Sequence, residues 1–247
     1  MQTPNRLTRD ALAYQLRRFI TTFHLNLLTS VKIHSTTYSP SAKLWEVTFT
    51  TSPTTPPTII TAKHLVQATG VSSQKPYTPS LPNAPLYKGL SIHSTAYKNP
   101  SSLSPTTTSI AIVGAANTAF DILSDLASSP SFPSPPTITM IARSPTYIFP
   151  ESYVFHSHGF GSYDILPLSV VDRNFNTLPV VIDYLLAAGL FSHFASEEPE
   201  RYDKLKEVGF PARDSTHPEE NIAFNILERA GGHYVDIGGT KVLEVSA

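Results

Sequence analysis

The sequence predicts an α/β protein whose central feature is a strand–helix–strand unit with parallel strands. Two apolar runs, SIAIV at 109–113 and TITMIA at 137–142, have the continuous hydrophobic character of strands in a parallel sheet. The stretch 115–127 between them has the apolar spacing of a helix. The residues that share one face of this helix are Ala119, Ile122, Leu123 and Leu126. A chain of 247 residues with 40% hydrophobic content can bury a core as one or two domains.

The first 70 residues predict one helix, a hairpin and a further strand. Residues 8–25 have helical periodicity, with Thr8 as a suitable N-cap. The segments SVKIHSTTY and LWEVTFTT follow as the two arms of the hairpin. In the second arm, Trp45, Val47 and Phe49 alternate with polar residues, which is typical of a half-buried strand. The stretch TAKHLVQATG at 61–70 predicts a short apolar strand.

Regularly spaced prolines predict the boundary between two domains. They are Pro76, Pro79, Pro82 and Pro85. Because proline restricts both its own backbone and that of the preceding residue, this segment is expected to be extended. We therefore expect a first domain over residues 1–78 and a second over residues 79–247.

The C-terminal part predicts three helices, at 178–191, 198–207 and 219–230. Four residues of the last helix are expected to face inward, namely Ile222, Ala223, Ile226 and Leu227, with Gly231 ending the helix. The loop SSPSFPSPP at 128–136 predicts a solvated, low-complexity insertion.

Composition excludes several classes of function. The net charge of −1 and the pI near 6.8 offer nothing to a polyanion, so we expect no nucleic-acid partner. The chain has no cysteine, which excludes disulfides, thiolate metal sites and a cysteine nucleophile. The longest apolar run, at 178–191, contains Asp183 and is short for a bilayer span. The N-terminus does not resemble a signal peptide, and we expect a cytoplasmic protein with no membrane partner.

The segment IAIVGAANTAFDI places a glycine at the end of a strand and directly before a helix. This placement is typical of the dinucleotide-binding turn of a Rossmann-like domain, where the helix N-terminus offers free N–H groups to a pyrophosphate. The usual pattern is G-x-G-x-x-G/A, and here it is filled by Gly114, Ala115, Ala116, Asn117, Thr118 and Ala119. Ala116 replaces the second glycine, whereas Ala119 is small enough for the third position. The alternative is an ordinary strand–glycine–helix connection, which is common in α/β proteins.

Two polar residues after the second strand indicate which dinucleotide would bind. A cofactor with a free ribose favours an acidic residue at this place, but the sequence IARSPT supplies Arg143 and Ser144. A cation beside a hydroxyl suits the 2′-phosphate of NADP. The alternative for Arg143 is a solvated residue at the end of a strand. Asp121, on the predicted helix, is equally compatible with a position near the ribose and with a solvated surface.

Several histidines and tyrosines have residue types that could serve other functions. His93 is better explained as a residue that hydrogen-bonds within its turn than as a general base. Tyr87 and Tyr97 are expected to be packing residues. The sequence HSH at 156–158 has poor spacing for metal ligands and no acidic partner nearby, so we expect no metal site.

Four segments together resemble the flavin-containing monooxygenases. They are Ala68-Thr69-Gly70, the string YKGLSIHSTAY at 87–97, VGAANTAFD and MIARSPT. The family's identifying string is F-x-G-x-x-x-H-x-x-x-Y/F, from which this chain departs only in its first aromatic residue, Tyr87. The later segments PLSVVDRNF and GGHYVDIGGT are also similar to those of fungal and bacterial members.

This resemblance implies a flavoprotein with two dinucleotide-binding domains, one for FAD and one for NADP. It implies that NADPH reduces FAD and that a flavin hydroperoxide then oxygenates a small substrate at nitrogen, at sulfur or at a carbonyl. The cofactor-binding residues it implies are Thr69 and Gly70 on the FAD side. On the NADP side they are the turn at 114–118 with Asp121, Arg143 and Ser144.

One departure from the family concerns FAD. Family members begin with a strand and a G-x-G-x-x-G turn that hold the FAD diphosphate, and no such motif precedes residue 60 here. The chain also ends at KVLEVSA, before the strands that complete an FAD-binding domain. We therefore expect a chain that is cut at both ends, with a partial FAD-binding domain. The alternative is an NADP-binding module, or a non-enzymatic remnant, that does not hold FAD.

Overall fold

The computed structural model describes residues 7–70 and 76–245. The chain divides into two compact units, unit 1 (Met1–Gly70) and unit 2 (Val71–Ala247). The division after Gly70 lies close to the expected domain boundary at residue 78.

Unit 1 consists of one helix and an antiparallel sheet. Helix α1 spans Arg9–Thr22, and the Thr8 side chain caps it by accepting a hydrogen bond from Ala11 N at 3.2 Å, as predicted. The sheet has the order β1-β2-β3. Its strands are β1 (Lys32–Ser39), β2 (Leu44–Thr50) and β3 (Thr58–Ala62). Val47 and Phe49 of β2 are buried, which confirms the predicted alternation.

The predicted strand at 61–70 is wrong. Strand β3 ends at Ala62, and residues 63–70 form no strand. A strand requires a neighbour that accepts and donates its backbone hydrogen bonds. The pairing of β3 with β2 ends at Ala62, and Val66 beyond it is 83% exposed. Apolar character alone therefore does not make this stretch a strand.

Unit 2 contains two small parallel sheets and several helices. The strands are β4 (Ser109–Val113), β5 (Thr137–Ile141), β6 (Thr146–Pro150), β7 (Ala212–Arg213) and β8 (His233–Asp236). The α-helices are α2 (Asn117–Ala127), α3 (Glu151–Val154), α4 (Leu168–Asn176), α5 (Val180–Glu197), α6 (Asp203–Glu207) and α7 (Thr240–Val245). Strand β4 pairs with β5, and the other sheet has the order β7-β6-β8.

The predicted strand–helix–strand unit is confirmed. Strands β4 and β5 pair in parallel along their whole length, from Ser109 opposite Thr137 to Val113 opposite Ile141. Helix α2 connects them and buries the face predicted from its spacing, with Phe120 added to it. The ring of Phe120 stacks on Tyr234 of β8 at 3.9 Å between centroids. The same core therefore joins α2 to the second sheet.

Two further expectations for unit 2 are corrected. The loop 128–136 is not a purely solvated insertion, because Phe132 is buried in the core against the α2 side. The helix at 219–230 is shorter and is a π-helix over Phe224–Glu228. Ile222 packs against a core cluster as predicted, but the wider turn places Asn225 inward and leaves Ile226 and Leu227 exposed, contrary to the predicted face. Gly231 does end the helix, with its N–H donating to the Asn225 carbonyl at 2.7 Å.

Helix α5 is longer than the apolar run from which it was predicted. Its 18 residues have a mean hydropathy of 1.2, and it is the one helix of the described residues that is long and apolar enough to cross a membrane. Only 11% of it is buried within the chain. Length therefore does not exclude a span, and the absence of a membrane partner stays a prediction. The helix predicted at 198–207 is observed as the short α6.

Candidate nucleotide-binding turn

The turn between β4 and α2 is built around Gly114. Its backbone has φ +127°, a conformation that side-chain-bearing residues rarely adopt. Gly114 N donates to the Ile141 carbonyl at 3.0 Å, so the turn begins as a continuation of the parallel pairing. No heavy atom lies within 4 Å of the place where a Cβ would stand. The turn is therefore open on that side.

The N-terminus of α2 presents unused backbone donors next to this turn. Ala116 is the N-cap and has no side chain that could satisfy them. In the described part of the chain, the N–H groups of Ala115, Ala116, Asn117 and Thr118 donate no hydrogen bond. Such donors at the positive end of a helix dipole suit an anionic group.

Arg143 and Ser144 lie at the same edge of the sheet as this turn. Because Val113 pairs with Ile141, the carboxyl ends of β4 and β5 coincide, and Arg143 follows Ile141 by two residues. Both side chains are exposed. The guanidinium of Arg143 forms no ion pair with any described residue. The topology thus places the predicted cation beside the predicted turn.

The side chain of Asn117 is already engaged within the protein. Its Oδ1 accepts a hydrogen bond from Val235 N of β8 at 2.9 Å. This bond joins α2 to the second sheet, so Asn117 can offer a ligand only its backbone N–H. Asp121 is exposed one turn further along α2. Burial raises the pKa of Tyr234, and the nearby carboxylates of Asp236 and Asp121 raise it further.

The other two predicted cofactor residues lie in unit 1. Thr69 and Gly70 stand at its C-terminal end, where Gly70 has φ +83°. They belong to the irregular segment after β3, not to a strand end.

The identifying string at 87–97 has structural functions. His93 Nδ1 accepts a hydrogen bond from Thr95 N at 3.2 Å, which confirms the turn-forming explanation. Tyr97 packs against the core and donates to Asp125 Oδ2 of α2 at 2.8 Å, so it fixes this segment to the helix. Tyr87 is 65% exposed, and its expected packing role is wrong. Its ring instead covers Gly89, where any Cβ would overlap it.

A cluster of hydrogen-bonded polar residues in unit 2, of which Tyr147, Tyr153 and Ser215 are buried, is not predicted from the sequence. Tyr147 and Ser215 share a hydrogen bond of 2.9 Å, although 68 residues separate them. Tyr153 donates to Glu198 Oε1 at 2.6 Å, and Arg201 donates to Glu198 Oε2 at 2.5 Å. Burial opposes ionisation of Glu198, but these two donors hold its pKa below the ordinary value. No motif in the sequence indicates the Tyr147–Ser215 and Tyr153–Glu198 pairs, which join residues 68 and 45 positions apart.

The comparison with protein families agrees with this architecture. A family model described as L-lysine 6-monooxygenase/L-ornithine 5-monooxygenase matches residues 21–162. The match runs from the end of α1 through the β4–α2–β5 unit. No individually curated protein matches the chain at a significant level. Since the matched span contains 142 of the 247 residues, the chain belongs to the L-lysine 6-monooxygenase/L-ornithine 5-monooxygenase family, a family of flavin-dependent monooxygenases.

Proposed function

We propose that this chain binds NADPH at the β4–α2 turn and forms the nicotinamide-nucleotide part of an N-hydroxylating monooxygenase. The observation that carries the proposal is the open turn at Gly114, followed by unused N–H groups and flanked by Arg143. An ordinary strand–glycine–helix connection has no need for a cation at the next strand end. Its occurrence in a member of a flavin-dependent family supports the nucleotide explanation.

Different residues of this site bind different groups of the dinucleotide. The N–H groups of Ala115 to Thr118 bind the pyrophosphate, since they lie at the positive end of α2. Arg143 binds the 2′-phosphate and Ser144 adds a hydroxyl donor, because both follow the neighbouring strand. The methyl of Ala116 limits how closely the backbone approaches the phosphate, where a glycine is usual.

The residues in this chain do not fit FAD in the same way. The first glycine of the sequence is Gly70, so no glycine turn precedes it. The described residues 7–70 form a helix and an antiparallel sheet, with no parallel strand followed by a helix N-terminus. In the family, flavin supplies the oxygen-transferring chemistry. We derive no step through it from the residues of this chain.

The second candidate function that we propose is an NADP-binding module without oxygenase activity of its own. For a complete enzyme we propose a small amine as the substrate class, because the family description names lysine and ornithine.

Calorimetric titration of the purified chain with NADPH and with NADH tests the nucleotide site. We expect saturable NADPH binding with one site per chain and weaker NADH binding, because NADH lacks the 2′-phosphate. Equal affinities, or no binding of either, would contradict the proposal. The visible absorption of the same sample separates the two candidate functions, since stoichiometric flavin would favour the oxygenase and its absence the binding module.

A further inference from the structure

The first turn of α2, which presents its backbone N–H groups beside Gly114, has no side-chain cap of its own. Its N-cap is Ala116, whose methyl cannot accept a hydrogen bond. The first residues of a helix also lack intrahelical acceptors for their N–H groups, and helix ends therefore fray. A fraying turn does not keep its N–H groups aligned towards a phosphate, so the binding of an anion here depends on what else holds the turn.

The side chain of Asn117 holds this turn from outside the helix. Asn117 is the first residue of α2, and its Oδ1 accepts a hydrogen bond from Val235 N at 2.9 Å. In the sheet order β7-β6-β8, strand β8 stands at the edge, where backbone groups face away from the other strands of that sheet. The amide oxygen of Asn117 therefore takes the place that the carbonyl of a further strand would have.

Strand β8 is a well-fixed anchor for this bond. Tyr234 is 1% exposed, and its ring stacks on Phe120 of α2 at 3.9 Å between centroids. The Tyr234 hydroxyl accepts from Gly239 N at 3.0 Å, and the carboxylate of Asp236 accepts two hydrogen bonds from the turn that follows β8. The residues on both sides of Val235 are thus held in place, which fixes the direction of its N–H group.

We propose that Asn117 is a positioning residue for dinucleotide binding, which orders the pyrophosphate-binding turn by bonding its side chain to β8. This inference rests on the proposed function of the turn. A turn that is already ordered binds its ligand more tightly, because the ligand does not have to order it. NADPH and NADH both contain the pyrophosphate, so both depend on Asn117. The 2′-phosphate does not, since Arg143 follows a different strand.

Calorimetric titration of the full chain and its Asn117→Ala variant with three nucleotides tests this role. We expect the affinities for NADPH and NADH to fall by the same factor, roughly 3- to 10-fold, because one ordering hydrogen bond is lost. The third nucleotide, adenosine 2′-monophosphate, has the 2′-phosphate but no pyrophosphate, and its affinity should stay unchanged. An equal loss for all three nucleotides would make the bond merely structural and overturn the proposal.

Tyr97→Phe is the matched control, because it also removes one side-chain hydrogen bond of α2. The bond lost is that from the Tyr97 hydroxyl to Asp125 Oδ2 at 2.8 Å, about two helical turns from Asn117. We expect this variant to have a lower thermal midpoint and unchanged affinities for all three nucleotides. A loss of NADPH and NADH affinity in Tyr97→Phe would mean that any loosening of α2 has this effect, and the assignment to Asn117 would then be wrong.

Asn117→Ser keeps the test decisive if the alanine variant does not fold. Its hydroxyl is one bond closer to the backbone than Oδ1 and does not reach Val235 N, but serine is well tolerated in the first turn of a helix. We expect the same pattern of affinities as for alanine. If the unmodified chain binds neither NADPH nor NADH, the proposed function itself fails. If it binds both and the folded Asn117 variants bind them equally well, the positioning role alone is wrong.

Discussion

At the scale of single residues, Arg143 should determine which dinucleotide the chain prefers. A guanidinium–phosphate contact is charge-assisted, and hydrogen bonds to charged groups contribute about 1.5–3 kcal/mol. Arg143→Ala should therefore weaken NADPH binding by roughly 10- to 150-fold, at 1.4 kcal/mol per factor of ten. NADH affinity should hardly change, because NADH has no 2′-phosphate. Isothermal titration of both nucleotides against both proteins measures this difference.

Arg173→Ala is the control for the loss of one positive charge. Arg173 is an exposed arginine of α4, outside the turn. We expect it to leave both affinities unchanged. A loss of the same size for NADPH and NADH in Arg143→Ala would make Arg143 structural. No loss for either nucleotide would place the site elsewhere.

His233 should make the stability of unit 2 depend on pH. Burial lowers its pKa below the ordinary value of 6.5, and a hydrogen bond with the Gly231 backbone opposes this only partly. The unfolded chain therefore binds a proton more readily than the folded one. The contribution to stability is present above about pH 6.5 and is lost as the pH falls towards the folded pKa.

Thermal unfolding of unit 2 between pH 7.5 and 5.5 measures this dependence. We expect the midpoint to fall with pH in the wild type and to fall less in His233→Gln. His158→Gln, which removes an exposed histidine of the same unit, should keep the wild-type slope. Equal slopes in all three proteins would show that another group titrates.

At the scale of elements, two glycines of unit 2 should respond to alanine in opposite directions. Gly114 has φ +127°, so Gly114→Ala forces a strained backbone although space for the methyl exists. We expect the free energy of unfolding to fall by about 1–3 kcal/mol. Gly189 lies in α5 with nothing within 4 Å of its Cβ position. Gly189→Ala should raise the free energy of unfolding by about 0.5–1 kcal/mol.

Chemical denaturation of the two variants beside the wild type measures both changes. If Gly114→Ala were neutral, the turn would be able to relax, and the argument for a fixed phosphate-binding backbone would fail. A loss of stability in Gly189→Ala would mean that α5 packs more tightly than the structure shows.

The elements that were predicted correctly depend on neighbouring residues, and those that were missed depend on distant ones. Strands β4 and β5 and helix α2 follow from continuous apolar runs and a single helical face, all within about 35 residues. The stretch 63–70 has the apolar character of a strand but belongs to none of the described sheets. The predicted inward positions of Ile226 and Leu227 are wrong because they lie in a π-helix, whose turn is wider than the period of 3.6 residues on which the prediction rested.

The candidate site follows the same rule. The turn at Gly114 and the cation at Arg143 were found because each follows directly from a strand end. The hydrogen bond from Val235 N to the Asn117 side chain could not be predicted, because it joins residues 118 positions apart.

At the scale of the whole molecule, the two units differ in how much apolar surface they bury. In the described residues of unit 1, only Val47 and Phe49 are buried, and helix α1 buries none of its side chains. Unit 2 contains two aromatic-rich clusters, one around Phe120 and one around Phe149. Because burial of apolar surface is the main source of stability, unit 1 should be the weaker of the two.

This difference should appear as two unfolding transitions, and the chain supplies a reporter for the first. Its single tryptophan, Trp45, lies on β2 of unit 1, where its ring contacts Tyr38 at 5.4 Å between centroids. Most tyrosines lie in unit 2, so near-ultraviolet circular dichroism of tyrosine reports mainly on that unit. On one heating ramp, we expect Trp45 emission to change at a lower temperature than the tyrosine signal. Trp45→Phe should abolish the fluorescence change and leave the second transition in place. Coincident transitions by both probes would show that the units unfold as one, and the burial argument for unit 1 would then be wrong.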